Sequence, residues 1–282
     1  MILSISRRCD IPRFRFDWFL DCLKAGFVNT VNPFNAAQTR HVSLKPEDVD
    51  FIVFWTRDPL SILNACKELE PYPFYVMVTL TAYPKILEPN MPQKENIIKT
   101  MKALKETWGQ RIIWRYDPVF LSSLTDAEFH RSNFMDLSSR LSGITDRVII
   151  SIYDEYTGAK RRLTALGKKG ELQILPHYSE NRQLLPQIKN LVSEFAQIAK
   201  NAGMEMQYCA ETELEDSGVK PGACIDGELI QKIIGEKQAY PGCAAAGLVD
   251  KNQRSKCRCF PSIDIGSYSS CPAACVYCYA RR

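Results

Sequence analysis

Three cysteines near the end of the chain stand at C-x3-C-x2-C spacing: Cys271, Cys275 and Cys278, in Cys271-Pro-Ala-Ala-Cys275-Val-Tyr-Cys278-Tyr-Ala. Three thiolates this close fit three corners of a cubane iron–sulfur cluster and leave the fourth iron without a protein ligand. An iron with an open position can bind a substrate or a cofactor, whereas a fully ligated iron only passes electrons. The same short spacing occurs in zinc sites, so alone it points to a metal without choosing one. The aromatic Tyr277 just before the third cysteine is placed to pack beside such a cluster.

The chain carries eleven cysteines, six of them between positions 224 and 275. Cys257-Arg-Cys259 is a C-x-C pair upstream of the main motif; Cys209 and Cys224 precede it. Together these four supply enough thiolates for a second, auxiliary iron–sulfur cluster or a structural zinc, and Cys243 could replace one of them. The plainer alternative makes Cys209 a buried strand residue and leaves the C-x-C pair to hold zinc alone. Arg254, Lys256 and Arg258 interleave with these cysteines. They could raise the potential of an anionic centre or simply form a solvated basic loop. Cys22 and Cys66 fall on apolar helix faces and read as core packing, with Cys9 open. The three histidines share no ligand spacing, and His177 beside Tyr178 reads as a surface or cap residue.

The elements that must position these groups alternate. Met1–Ser6, Phe27–Val31, Phe51–Trp55, Phe74–Leu80, Arg111–Trp114, Val148–Ile152, Glu205–Cys209 and Ser262–Ile265 read as strands, most of them apolar runs suited to burial on both faces. Helical spacing follows Phe14, Trp18 and Cys22 up to Gly26; Ile62, Leu63, Cys66 and Leu69 after Asp58-Pro59; Ile97 to Trp108; and Phe134, Leu137 and Leu141 after a Thr125/Glu128 capping box. A long helix runs from about Leu184 to Ala202, and Gly227–Ile234 reads as a short one. Residues 155–180 give no clear pattern.

Strand followed by helix, repeated about eight times, predicts an α/β fold in one domain over 1–282, a TIM-like βα barrel whose segment 205–282 is the cysteine-rich part. Polar clusters follow the strands, and in such a barrel they meet at one mouth. Arg7, Arg8 and Asp10 follow the first strand, Asn32 and Asn35 the second, and Thr56 and Arg57 the third. Thr79 and Thr81 follow the fourth, Arg115 and Asp117 the fifth, Asp154 the sixth, and Glu211 the seventh. Any one of these can be a cap or turn residue. Arginine is a poor cap, however, and three strands end in it. Arg7, Arg8, Asp10, Arg57, Arg115 and Asp117 are therefore the catalytic candidates, and several arginines at one mouth favour a small anionic substrate. If the last strand pairs with the first, the barrel is a circular permutation cut just after the cysteine loop.

At 282 residues with 45% hydrophobic residues the chain can bury a sizeable core, and a net charge of +4 is too mild to imply nucleic acid. No apolar run approaches the roughly 20 residues that span a bilayer, which predicts no membrane partner. With no signal peptide evident, the thiols read as those of a cytoplasmic protein, metal ligands or buried residues and not disulfides.

The C-x3-C-x2-C motif with its Tyr resembles the cluster motif of radical S-adenosylmethionine (SAM) enzymes. The resemblance implies a 4Fe–4S cluster whose open iron chelates SAM and whose electron releases a 5′-deoxyadenosyl radical. It also implies an electron donor of the reductase, flavodoxin or ferredoxin type, and a SAM site near Tyr277, Ser6, Arg7 and Thr79. A nucleic-acid lesion as substrate rests on analogy alone. Several segments together resemble the bacterial domain-of-unknown-function family 1848: Ile5-Ser-Arg-Arg-Cys-Asp-Ile-Pro12, Asn32-Pro-Phe34, Phe54-Trp-Thr-Arg-Asp-Pro59, Thr79-Leu-Thr81, Trp114-Arg-Tyr-Asp-Pro118, Asp264-Ile-Gly-Ser-Tyr268 and Cys271 to Ala280. That family implies a fold and a cofactor but no substrate. Its members often continue past Cys-Tyr-Ala with a short polar tail; if that tail covers the SAM site elsewhere, this protein is expected either to leave the site open or to be truncated. Two readings compete: a zinc-stabilised barrel that binds a partner, with Cys257, Cys259, Cys271, Cys275 and Cys278 as its zinc module, and an iron–sulfur electron-transfer protein without SAM.

Overall fold

The computed structural model describes residues 1–281 except 34, 176–180, 236–247 and 255, so Cys243 and the His177–Tyr178 pair lie outside the described residues. The chain opens with β1 (Ile2–Ile5), followed by the short α1 (Ile11–Phe14) and by α2 (Phe16–Ala25), which stops at Gly26 in the left-handed conformation that glycine adopts without steric cost. Then comes an element with no place in a βα repeat. β2 (Phe27–Asn32) turns back on β3 (Asn35–Ser43) as an antiparallel hairpin, a separate two-stranded sheet. The expected second barrel strand is therefore not part of the main sheet, and Asn32 and Asn35 pair with each other at the hairpin tip. Phe27 and Val31 are exposed, while Val28 and Val42 are buried, so this hairpin has one thin apolar side and no second face to bury.

β4 (Phe51–Thr56) returns to the main sheet. The helix expected after it is broken into α3 (Leu60–Asn64) and α4 (Cys66–Leu69), with Ile62 and Leu69 fully buried and the Asp58 carboxylate accepting from Leu60 N–H at 3.2 Å. β5 (Phe74–Thr79) leads to α5 (Lys94–Trp108), and β6 (Ile112–Val119) to α6 (Ala127–Leu141). β6 continues past Trp114, so Arg115 and Asp117 sit within a strand that bulges between Tyr116 and Val119. The cap of α6 is Asp126, accepting from Phe129 N–H, and not the expected Thr125, whose hydroxyl donates to Phe120 O at 2.5 Å. β7 (Arg147–Ile152) is followed by α7 (Thr157–Lys168), in the stretch that the sequence pattern leaves unassigned, and by α8 (Leu185–Asn201). The chain ends with β8 (Glu205–Tyr208), β9 (Lys220–Pro221), α9 (Gly227–Ile234) and β10 (Ile263–Asp264).

The eight strands of the main sheet run in the order β10-β1-β4-β5-β6-β7-β8-β9, and every neighbouring pair is parallel. Side chains alternate between two buried faces. One face carries Leu3, Ile5, Ile52, Phe54, Phe74, Val76 and Trp114 under the helices. The other carries Ile2, Phe51, Val53, Trp55, Tyr75, Met77, Ile113 and Ile149. Burial on both sides explains why these strands read as unbroken apolar runs. The last strand lies beside the first, with Leu3 opposite Ile263 and Ser4 opposite Asp264. Among the described residues no helix is long and apolar enough to cross a membrane.

Candidate functional site

The polar residues that end the parallel strands gather at one end of the sheet, and three carboxylates organise them. Asp264 ties β10 to the turn after β1. It accepts from Ser4 Oγ at 2.8 Å, Ser6 Oγ at 2.6 Å, the Arg7 N–H at 2.8 Å and the Gly266 N–H at 2.9 Å. Gly266 must be glycine here, because a Cβ would lie 1.9 Å from Ser6 Oγ. Ser6 is thus consumed in joining the two strands. Arg7 donates to Ser262 Oγ at 2.9 Å and lies 5.5 Å from the Trp55 ring centre, while Arg8 lies 5.4 Å from that of Tyr268.

Asp10 is the second organiser. It accepts from Arg13 N–H at 3.1 Å, Thr56 Oγ1 at 2.7 Å and the Arg57 N–H at 2.8 Å. Burial pushes its pKa up to about 6 against those hydrogen bonds. Both oxygens are engaged, so this catalytic candidate caps α1 and pins the end of β4.

Glu88 is the third, and the sequence pattern did not single it out. Its Oε1 pairs with Arg57 Nη1 at 2.7 Å, accepts from Thr81 Oγ1 at 2.5 Å and accepts from the Tyr277 hydroxyl; Arg57 Nη2 reaches the same Tyr277 oxygen at 2.6 Å. Burial disfavours the Arg57 charge, but Glu88, Tyr277 and Cys275 outweigh it and hold its pKa well above the usual value. Tyr83 and Phe120 pack on Tyr277, at 5.9 and 6.2 Å between ring centres. Beside this network opens a cavity of about 240 Å³ lined in part by Arg57, Thr79, Thr81, Tyr83, Lys85 and Glu88. That is near the roughly 300 Å³ at the small end of ligand pockets. Thr79 also accepts from Arg115 Nη1 at 3.4 Å; Arg115 pairs with Asp117, which accepts from Ser151 Oγ, and lies 4.8 Å from the Trp55 ring centre.

The cysteine loop sits against this network. Its backbone is held by donors from elsewhere in the fold. Arg162 of α7 spreads its guanidinium over three carbonyls, those of Val276 (2.9 Å), Cys278 and Arg281 (2.7 Å); Asn90 Nδ2 takes that of Pro272 at 2.8 Å, and Val276 N–H donates to Leu87 O at 2.9 Å. Ala274 stands at φ 59°, a left-handed conformation that costs an alanine roughly 1 kcal/mol. Cys275 is buried and Cys271 and Cys278 are half-buried. Burial pushes the Cys275 thiol up to about 11, and Cys271 and Cys278 both act on its charge. Burial also pushes the Cys271 thiol up, against the Asp10 N–H nearby. Tyr279 donates to Arg7 O at 2.6 Å, joining the loop to the turn after β1.

Cys209, Cys224, Cys257 and Cys259 form a second group on the other face of the sheet, packed with Ile2, Phe51, Val53, Ile225 and Ile230 of α9. The four thiols lie in one buried cluster, close enough to shift one another's ionisation. Their mutual effect lowers the pKa of Cys209 and Cys259 and raises that of Cys224 and Cys257. Among the described residues no three or more His, Cys, Asp or Glu side chains stand as a metal shell, either in this group or in the C-x3-C-x2-C loop. Arg254, exposed like Lys256 and Arg258, donates to Cys209 O at 3.3 Å and pairs with Asp154, with Glu211 4.0 Å away. Asp154 and Glu211 thus serve this loop, and Glu211 also accepts from Ile152 N–H at 3.0 Å.

Of the residues read as site candidates, Arg57, Thr81 and Tyr277 share one network beside the cysteine loop, and Thr79 lines its cavity. Glu88 and Arg162 join them unannounced; the signal for Arg162 was the Ala159, Leu163 and Leu166 spacing around it. A family model described as Domain of unknown function (DUF1848) matches residues 2–280. A search of curated proteins finds no match.

Proposed function

We propose, for a chain that belongs to the DUF1848 family, an iron–sulfur enzyme of the radical SAM type on a closed, circularly permuted βα barrel. The observation that carries this reading is the C-x3-C-x2-C loop lying beside a buried Arg57–Glu88–Tyr277 network and a small polar cavity. The pairing of β10 with β1 suits the permutation. The Phe260 N–H donating to Ile225 O at 3.0 Å, between the loops next to the two edge strands, suits closure.

Cys271, Cys275 and Cys278 would hold a 4Fe–4S cluster by three irons; their spacing on one pinned loop supports this, while the three side chains do not stand gathered as a metal shell. When bound, the cluster and SAM would supply a radical able to take a hydrogen atom from the substrate. The chain's own residues set the conditions for that chemistry. Arg162 holds the loop carbonyls. Tyr277, Tyr83 and Phe120 wall the loop with aromatic surface and exclude water. Arg57, fixed as a cation by Glu88, presents a positive group beside Cys275 and at the cavity wall, which favours a small anionic substrate. A reductase, flavodoxin or ferredoxin would deliver the electron.

The test is the EPR spectrum of anaerobically reconstituted, reduced protein with and without SAM. A signal that shifts with SAM and is lost in Cys275→Ala is expected. A cluster spectrum indifferent to SAM would replace this reading with electron transfer alone.

A further inference from the structure

Trp55 ends β4 on the sheet face that also carries Tyr75, Met77 and Ile113. Strand alternation puts Thr79 and Arg115 on the same face, and the two stand opposite each other in the β5–β6 register. Arg7 arrives from the turn after β1, the strand next to β4. Its guanidinium carbon lies 5.5 Å from the Trp55 ring centre, and that of Arg115 lies 4.8 Å from the same centre. We propose that Arg7, Arg115 and Trp55 bind an oxyanion, the carboxylate or phosphate group of a small ligand. The proposal rests on these donors and not on the cluster chemistry above. None of the three lines the cavity beside Glu88, so this is a separate position.

The three side chains carry donors that the fold leaves unused. Trp55 is 6% exposed, and its indole Nε1 is buried with no hydrogen-bond partner among the described residues. Arg115 spends its outer nitrogens on Asp117 and on Thr79 Oγ1 at 3.4 Å, while its Nε is buried and unpartnered. A guanidinium has five N–H donors. Arg7 donates to Ser262 Oγ at 2.9 Å and forms no ion pair among the described residues. Buried donors are nearly always satisfied, so two orphaned N–H groups around one ring need an explanation. Stacking on the indole accounts for where the two guanidiniums lie, but it gives none of these groups an acceptor.

Charge points the same way. Asp117 balances Arg115, and its Oδ1 accepts from Ser151. Asp264, beside Arg7, is occupied by Ser4, Ser6, the Arg7 backbone and Gly266. One cation is therefore left over among several free donors. An oxyanion supplies both the charge and acceptor lone pairs on more than one side, which a neutral or cationic ligand does not. The Arg7 backbone is fixed for this by its N–H to Asp264 at 2.8 Å and by its carbonyl, which accepts from the Tyr279 hydroxyl at 2.6 Å. That second bond also sets the position next to the cysteine loop.

The experiment titrates sodium phosphate and sodium acetate, separately, into the full-length protein against sodium chloride at equal ionic strength. Calorimetry and tryptophan emission are the readouts. Saturable binding of one ion per chain with a change in emission, absent with chloride, is expected for at least one of the two, and the tighter of them identifies the group as phosphate or carboxylate. Affinity should fall about tenfold or more in Arg7→Met and return in part in Arg7→Lys, which restores the charge without the fork. Trp55→Phe should lose the emission change and bind more weakly. Should Arg7→Met not fold, phenylglyoxal labelling of wild type with and without the ion, read by peptide mass, locates the site: protection of Arg7 and Arg115 is expected. Binding no better than chloride, full affinity in folded Arg7→Met, or protection confined to other arginines overturns the proposal.

Discussion

Cys271, Cys275 and Cys278 lie on one short loop, while Cys209, Cys224, Cys257 and Cys259 are gathered from three segments of the chain. Of the loop thiols Cys271 and Cys278 are half-buried and Cys275 is buried, beside a buried ion pair, a tyrosine and a cavity; the other four thiols are all buried, packed with Ile2, Phe51 and Val53. Backbone strain sits in both, at Ala274 (φ 59°) before Cys275 and at Ala210 (φ 58°) after Cys209. The contrast is that between thiols set beside a polar network and thiols packed into an apolar core. Sequence proximity alone would have merged Cys257 and Cys259 with the last three cysteines. The fold instead sets them with Cys209 and Cys224, because β8 and β10 deliver them to the same face.

The sharpest way to break this contrast is Glu88→Ala. It strands the buried Arg57 charge, and losing one partner of such a pair costs about 3–5 kcal/mol. Chemical denaturation should show that loss; an unchanged unfolding free energy would mean that Thr81 and Tyr277 satisfy Arg57 without the carboxylate. Arg162→Ala removes the charged donor from three carbonyls of the loop. A destabilisation on the order of 3 kcal/mol is expected from charge-assisted hydrogen bonds of this kind, together with poorer iron loading at the three-thiol loop only.

His130 tests the aromatic wall behind Tyr277. It is buried, donates from Nε2 to Phe120 O at 3.1 Å and accepts at Nδ1 from the Tyr116 hydroxyl at 2.8 Å; burial pushes its pKa down to about 4 from 6.5. A histidine with a depressed folded pKa contributes stability that is complete above about pH 6.5 and is lost as the pH falls toward 4, about 3 kcal/mol in all. Unfolding free energies measured across that window should fall in wild type and flatten in His130→Gln. The smallest effects are at the strained alanines: Ala274→Gly and Ala210→Gly should each raise the melting temperature, for a gain of up to about 1 kcal/mol. A loss at either position would mean that the methyl group packs usefully there.

What the sequence made legible follows from burial. β1, β4, β5, β6 and β7 are buried on both faces and announce themselves as Val/Ile/Phe runs, and Ser262–Ile265 was placed beside the first strand from its position before the cysteine loop. The β2–β3 hairpin was misassigned because Asn35–Ser43, Asn-Ala-Ala-Gln-Thr-Arg-His-Val-Ser, offers almost no apolar face. Glu88 lies in the irregular 80–93 connection, where no periodicity marks a residue, and its role depends on Arg57 and Tyr277 arriving from distant parts of the chain. Asp10 was legible as polar and strand-terminal, but only its filled hydrogen bonds show that it holds the backbone.

The most direct test of the central claim is a single-turnover assay: reduced, reconstituted protein is incubated with SAM and the products are separated. The account predicts 5′-deoxyadenosine and methionine from wild type, none from Cys275→Ala, and continued cleavage by folded Cys257→Ser when scaled to its iron content. Intact SAM in every sample, or cleavage that survives Cys275→Ala, would contradict it.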